Sequence, residues 1–162
     1  MRLTVAVMII RNKKFSFLSL LSLLIISSLI YFLWMEFKPV KIIAIHQQDN
    51  FSDVLVNNFP ITDNGKIAWW MKNKNMLSDK YKIPKPASDG FFTITFWDFG
   101  DGYQEEGKYD RLCFDDMKTA ENCIDKNSFL TVRNTPDNRV FFIVDNGKYL
   151  LQENNKVIKV RE

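Results

Sequence analysis

Between Phe96 and Asp116 the chain reads FWDFGDGYQEEGKYDRLCFDD, which sets seven carboxylates and six aromatic rings in 21 positions, with a cysteine near the end. Side chains of these types offer three kinds of chemistry. Two acids at working distance act as general acid and base in hydrolysis. Several converging oxygens bind a hard cation. Rings among charges form the anchors and rim of a protein contact.

Catalysis has the weakest support. Asp98, Asp101, Glu105, Glu106 and Asp110 are the acids a carboxylate hydrolase would draw on, but acids are common on any loop. His46 is the single histidine, so a Ser–His–Asp or Cys–His arrangement must use it. No G-x-S-x-G, Walker or G-x-G-x-x-G pattern occurs, and Asp98-Phe99-Gly100 lacks the other kinase motifs. The expectation is a protein that is not an enzyme and uses no cofactor. Zinc wants sets of Cys and His, which one histidine cannot supply. An EF-hand loop starting at Asp98 fails because Gly100 and Gly102 stand at its third and fifth positions.

The contact reading survives best. Its candidate partner-binding residues are Trp97, Asp98, Phe99, Asp101, Tyr103, Glu105, Glu106, Tyr109 and Asp110, with Trp69 from the Trp69-Trp70 pair. The competing view makes the rings core and the acids a solvated face. Strand alternation favours it for Phe96 and Phe114, and least for Phe99 and Tyr103, which sit in a glycine-rich turn.

The elements that must position these residues start with a span. Residues 15–35, FSFLSLLSLLIISSLIYFLWM, carry no charge. As a helix they reach about 31 Å, the thickness of a bilayer core. The run exceeds a signal-peptide apolar region, and cutting after Ser27-Ser28 would leave a greasy terminus. A retained anchor is therefore expected. Arg2, Arg11, Lys13 and Lys14 precede it and only Lys38 and Lys41 follow closely, which keeps residues 1–14 in the cytoplasm. Met8 offers an alternative start that keeps the basic cluster.

Residues 36–41 form a linker, and residues 42–162 a domain on the periplasmic side of a bacterial inner membrane. The net charge of +3 divides as +5 over residues 1–41 and −2 over 42–162, so the overall basicity comes from the span-flanking segment and gives no support for a nucleic-acid binder, which needs its basic stripe on the folded domain. Within it residues 98–125 are net −6 and residues 126–162 net +3, so bilayer contact would fall to the C-terminal strands. Cys113 and Cys123, in an oxidising compartment, most simply form a disulfide; in a cytoplasmic domain they would stay free thiols.

The domain reads as α+β, an antiparallel meander with one packed helix. Val40–His46 is a strand; Val54–Val56 is strand or loop. Thr62 or Asp63 caps a helix whose Ile67, Trp70, Met71, Leu77 and Tyr81 share a face until Pro84. Phe92, Ile94 and Phe96 alternate with Thr93, Thr95 and Trp97 in a central strand. The turn at Gly100–Gly102 leads to a strand near Tyr109–Phe114 that pairs back on it. Phe129–Val132, Val140–Val144, Tyr149–Gln152 and Val157–Val160 follow, with Asp145-Asn146-Gly147 as a hairpin turn.

The strings FSDVLVNNFP, GKIAWW, FWDFGDGYQEEGKYDRLCFDDMKT and NCI resemble a family of small enterobacterial membrane proteins, domain of unknown function 943. The resemblance runs from about Tyr31 to the C-terminus. It implies a short basic N-terminus, one span and a compact outer domain, and it supplies no activity or cofactor. From the residues, three functional expectations stand: a tethered periplasmic domain that binds a protein or envelope component, an immunity-type protein that neutralises an envelope-acting toxin, or a carboxylate-based envelope hydrolase. Residues 15–35 contact lipid in each case.

Overall fold

A computed structural model describes the backbone of residues 2–36 and 38–160 and the side chains of 17–34 and 38–160. The side chains of Arg2, Arg11, Lys13 and Lys14, used above for orientation, lie outside the described residues. The chain divides after Lys38 into two compact units.

The first unit is α1 (Arg2–Glu36), 35 residues long. The helix begins well before residue 15, so the basic segment is helical rather than only a leader to the span. Its uncharged part Phe17–Trp34 is 18 residues with every side chain exposed. Leucine, isoleucine and phenylalanine around the whole circumference suit hydrocarbon, not a water-facing surface. Ser22 and Ser27 return their hydroxyls to the carbonyls of Ser19 and Leu24, at 2.8 and 3.0 Å, which satisfies them inside the helix.

The second unit is three-layered. Its central sheet runs β1 (Lys41–Gln48), β2 (Phe51–Asn57), β3 (Phe92–Asp98), β7 (Ser128–Asn134), β8 (Val140–Val144), β9 (Gly147–Leu151) and β10 (Val157–Lys159). A smaller sheet has the order β4 (Gln104–Glu105), β6 (Glu121–Asp125), β5 (Arg111–Cys113). One helix, α2 (Asp63–Tyr81), joins β2 to β3. The α+β class holds, and the meander holds from β7 to β10.

Two expectations about pairing do not. β2 and β3 are parallel, from Phe51 beside Thr93 to Val56 beside Asp98. Parallel neighbours need a crossover, and α2 supplies it by carrying the chain back to the starting end. The strand expected near Tyr109–Phe114 does not pair back on β3, because both edges of β3 are already taken by β2 and β7. It shortens to β5 and pairs with β6. Gly100 and Gly102, at φ 47° and 88°, turn the chain off the central sheet at that point.

Both faces of the centre are covered. Val54 and Val56 face α2 while Leu55 faces the small sheet, and all three are fully buried. α2 is fixed at its start by Thr62, whose side chain accepts from the Gly65 N–H at 3.1 Å. It is fixed at its end by Lys82 in the left-handed region, φ 59°. The buried Lys66 Nζ reaches Asp145 Oδ2 at 2.7 Å, tying the first turn of α2 to the β8–β9 hairpin.

Candidate functional site

The small sheet and the turns around it hold the acidic-aromatic stretch. Arg111 knits its strands: Nε bonds Asp125 Oδ1 at 3.0 Å, Nη1 donates to the Glu105 carbonyl at 2.6 Å, and Nη2 donates to Gln104. Cys113 and Cys123 face each other across β5 and β6 with their sulfurs at bonding distance, 2.09 Å. The disulfide is thus a cross-strand staple rather than the closure of an irregular loop.

Beneath this lobe lies an aromatic and polar seam. Leu55, Phe114 and Ile124 form its buried centre, with Trp97, Phe99, Tyr103 and Leu112 packed around them. His46, on β1, stacks on Phe114 with ring centroids 3.7 Å apart. Its Nδ1 sits 2.8 and 2.9 Å from the two oxygens of Asp116, and its Nε2 is 2.7 Å from the Tyr103 hydroxyl. A carboxylate only accepts, so Nδ1 carries a proton; in the neutral ring Nε2 then accepts from Tyr103. One imidazole therefore bolts both ends of the lobe to the central sheet.

Asp53, opposite His46 in the β1–β2 register, accepts from Trp97 Nε1 at 2.7 Å. Burial pushes its carboxyl up, only partly opposed by the Trp97 bond and by His46. Burial, and then Asp116, likewise pushes the Tyr103 phenol up. His46, Gln47, Asp53, Phe114, Asp115 and Asp116 line a pocket of about 330 Å3 here.

The Asp53 carboxylate gives a pH prediction. At pH 7 it is charged in both folded and unfolded chains, and the folded site disfavours that charge. As pH falls, the folded protein takes up the proton first and the penalty vanishes. Asp53→Asn keeps the Trp97 acceptor without the charge. The variant should melt above wild type at pH 7, and the difference should shrink towards zero as pH approaches the ordinary value of 3.8. Melting followed from pH 4 to 8 checks this.

The structure sorts the sequence candidates into two groups. Trp97, Phe99 and Tyr103 are half-buried, each packed against the seam with part of its ring exposed. Trp69 is half-buried and packs against the core, its ring 5.2 Å from Phe59 and 5.6 Å from Phe96. Asp98 turns back on its own loop, accepting from the Gly100 N–H at 3.1 Å and from Asn127 at 3.3 Å. With Asp101, Asp125 and Gln104 it lines an opening of about 300 Å3.

The exposed group is Asp101, Glu105, Glu106, Tyr109 and Asp110, and Tyr109 is the most exposed ring of the lobe at 75%. Asp110 pairs with Lys126; among the described residues Asp101, Glu105, Glu106, Asp115 and Glu121 form no salt bridge. Among the described residues no group of three or more His, Cys, Asp or Glu is placed to hold a metal ion.

His46, Asp53 and Asp116 were missed as a unit. They lie up to 70 residues apart, and no local spacing links them. The lone histidine was the only signal in the sequence.

The family described as "Enterobacterial putative membrane protein (DUF943)" matches residues 11–161. The chain belongs to this family. The match starts at Arg11, some way before the Tyr31 at which the resemblance first becomes evident, and so includes the whole apolar part of α1. No curated protein and no solved structure matches the chain. The chain thus joins membership in a family described as membrane proteins with one N-terminal helix long and apolar enough to cross a bilayer, followed by an α+β domain.

Proposed function

We propose that the chain is a single-pass inner-membrane protein whose periplasmic domain binds a cationic protein or envelope component through its acidic lobe. The observation that carries this reading is the division of labour within the lobe. Its inner face is engaged by His46, Phe114 and Leu55, while its outer face presents exposed carboxylates around one exposed ring, Tyr109; among the described residues Asp101, Glu105 and Glu106 form no salt bridge. Charge of one sign on a stapled scaffold favours a partner of opposite sign and limits the order lost on binding. The excess of Lys and Arg before the span, and the cysteine pair, support an outward orientation.

The test is photocrosslinking in intact cells from position 109. The same experiment is repeated in a variant with Asp101→Asn, Glu105→Gln, Glu106→Gln and Asp110→Asn. We expect a discrete protein adduct in the parent that falls at least about tenfold in the neutralised variant. Lipid adducts alone, or an adduct indifferent to the four charges, would remove the proposal.

A further inference from the structure

The face of the central sheet opposite the acidic lobe carries the reverse charge. From Lys72 to Lys85 the chain holds five lysines and one acid, Asp79. Lys72, Lys80, Lys82 and Lys85 are exposed, and Lys74 lies over the Trp70 ring at 5.8 Å. The β9–β10 hairpin extends the patch. Asn155 and Val157 border the same hollow as Lys72, while Lys159 lies over Tyr149, which packs on the α2 side. Among the described residues none of these lysines forms a salt bridge.

We propose that this face, α2 with the segment to Lys85 and Lys159 of β10, docks on anionic phospholipid headgroups of the membrane that holds α1. Three observations favour lipid as the occupant. Residues 35–40 separate the apolar span from β1, and six residues reach at most about 20 Å, so the domain is confined beside a bilayer. The patch is cationic where an anionic surface needs it. The net −6 segment lies on the opposite face of the sheet, so repulsion turns the lobe away from the same surface. The chain enters the domain where β1 meets the end of β2, the end at which α2 begins. Part of this surface is the C-terminal strand charge noted in the sequence, but most of it is α2. The inference stands apart from the partner reading, since its test needs no partner.

The test uses the full chain in nanodiscs of phosphatidylcholine, with or without phosphatidylglycerol. A lysine-acetylating reagent is applied and each site is read by mass spectrometry. Lys108 and Lys118 on the lobe serve as internal controls. A lysine near an anionic surface gains about fivefold in occupancy of the bound state, so labelling of Lys72, Lys80, Lys82 and Lys85 should slow by about that factor or more. It should do so only with phosphatidylglycerol, and high salt should restore it. Equal labelling in both discs, or equal slowing at Lys108 and Lys118, would overturn the proposal. Slowing that follows the number of chains per disc rather than lipid charge would also overturn it. That result would assign the patch to the acidic lobe of a second copy.

Discussion

Phe96→Ala should lower the unfolding free energy of the domain by about 3–5 kcal/mol, the usual range for emptying a fully buried phenylalanine site. Phe96 sits in the middle of β3 with no exposed surface, between Val54 on β2 and Leu130 on β7. Its ring stacks on Phe59 at 5.2 Å, and Phe59 continues the stack to Phe129 at 5.6 Å. Trp69 of α2 closes on Phe96 edge-on. Four elements meet there, and such a site collapses poorly because its walls are strands fixed on both sides. Denaturant titration of the full chain in detergent, read by tryptophan fluorescence, measures the change. A loss below about 1 kcal/mol would show that the site closes up and that Phe96 is not the keystone of this core.

Removing the staple should act differently. In Cys113→Ser/Cys123→Ser the loss is expected at about 3 kcal/mol from loop closure over a separation of 10 residues. The lobe is a minor sheet held to the rest by the seam around Phe114 and by His46, so the effect should be local. Amide hydrogen exchange in β4, β5 and β6 should quicken about a hundredfold, while β8, on the far side of β7, keeps its protection. Uniform quickening across both sheets would mean that the lobe and the central sheet unfold as one unit. Partner capture from position 109 should weaken in the same variant, because the carboxylates lose their fixed frame.

Some of the candidate site was legible before folding was considered, and some was not. Alternation marked Phe96 and Phe114 as inward, and both are buried. Glycines at 100 and 102 marked a sharp bend, and it is there. A turn, however, does not say what the chain pairs with after it. β3 had no free edge left, so the next strand was sent to a second sheet. The same event packed one side of Phe99 and Tyr103 against that sheet and left both half-buried. Trp69 is half-buried at the rim of the core. Helical spacing allows one tryptophan of an adjacent pair at the centre of a face, but the Phe59–Phe129 stack widens the core enough to take the second ring at its rim.

By itself the sequence determined the uncharged span, the helix bounded by Thr62 and Pro84, the strands of the C-terminal meander and the cysteine pairing. Each follows from local periodicity, local turn chemistry or simple scarcity of thiols. Only the tertiary structure decided the parallel pairing of β2 with β3, the His46–Asp116–Tyr103 bolt, and the placing of lysines and carboxylates on opposite faces. Those depend on which residues meet across tens of positions, and strand edges and layer stacking set that, not spacing along the chain.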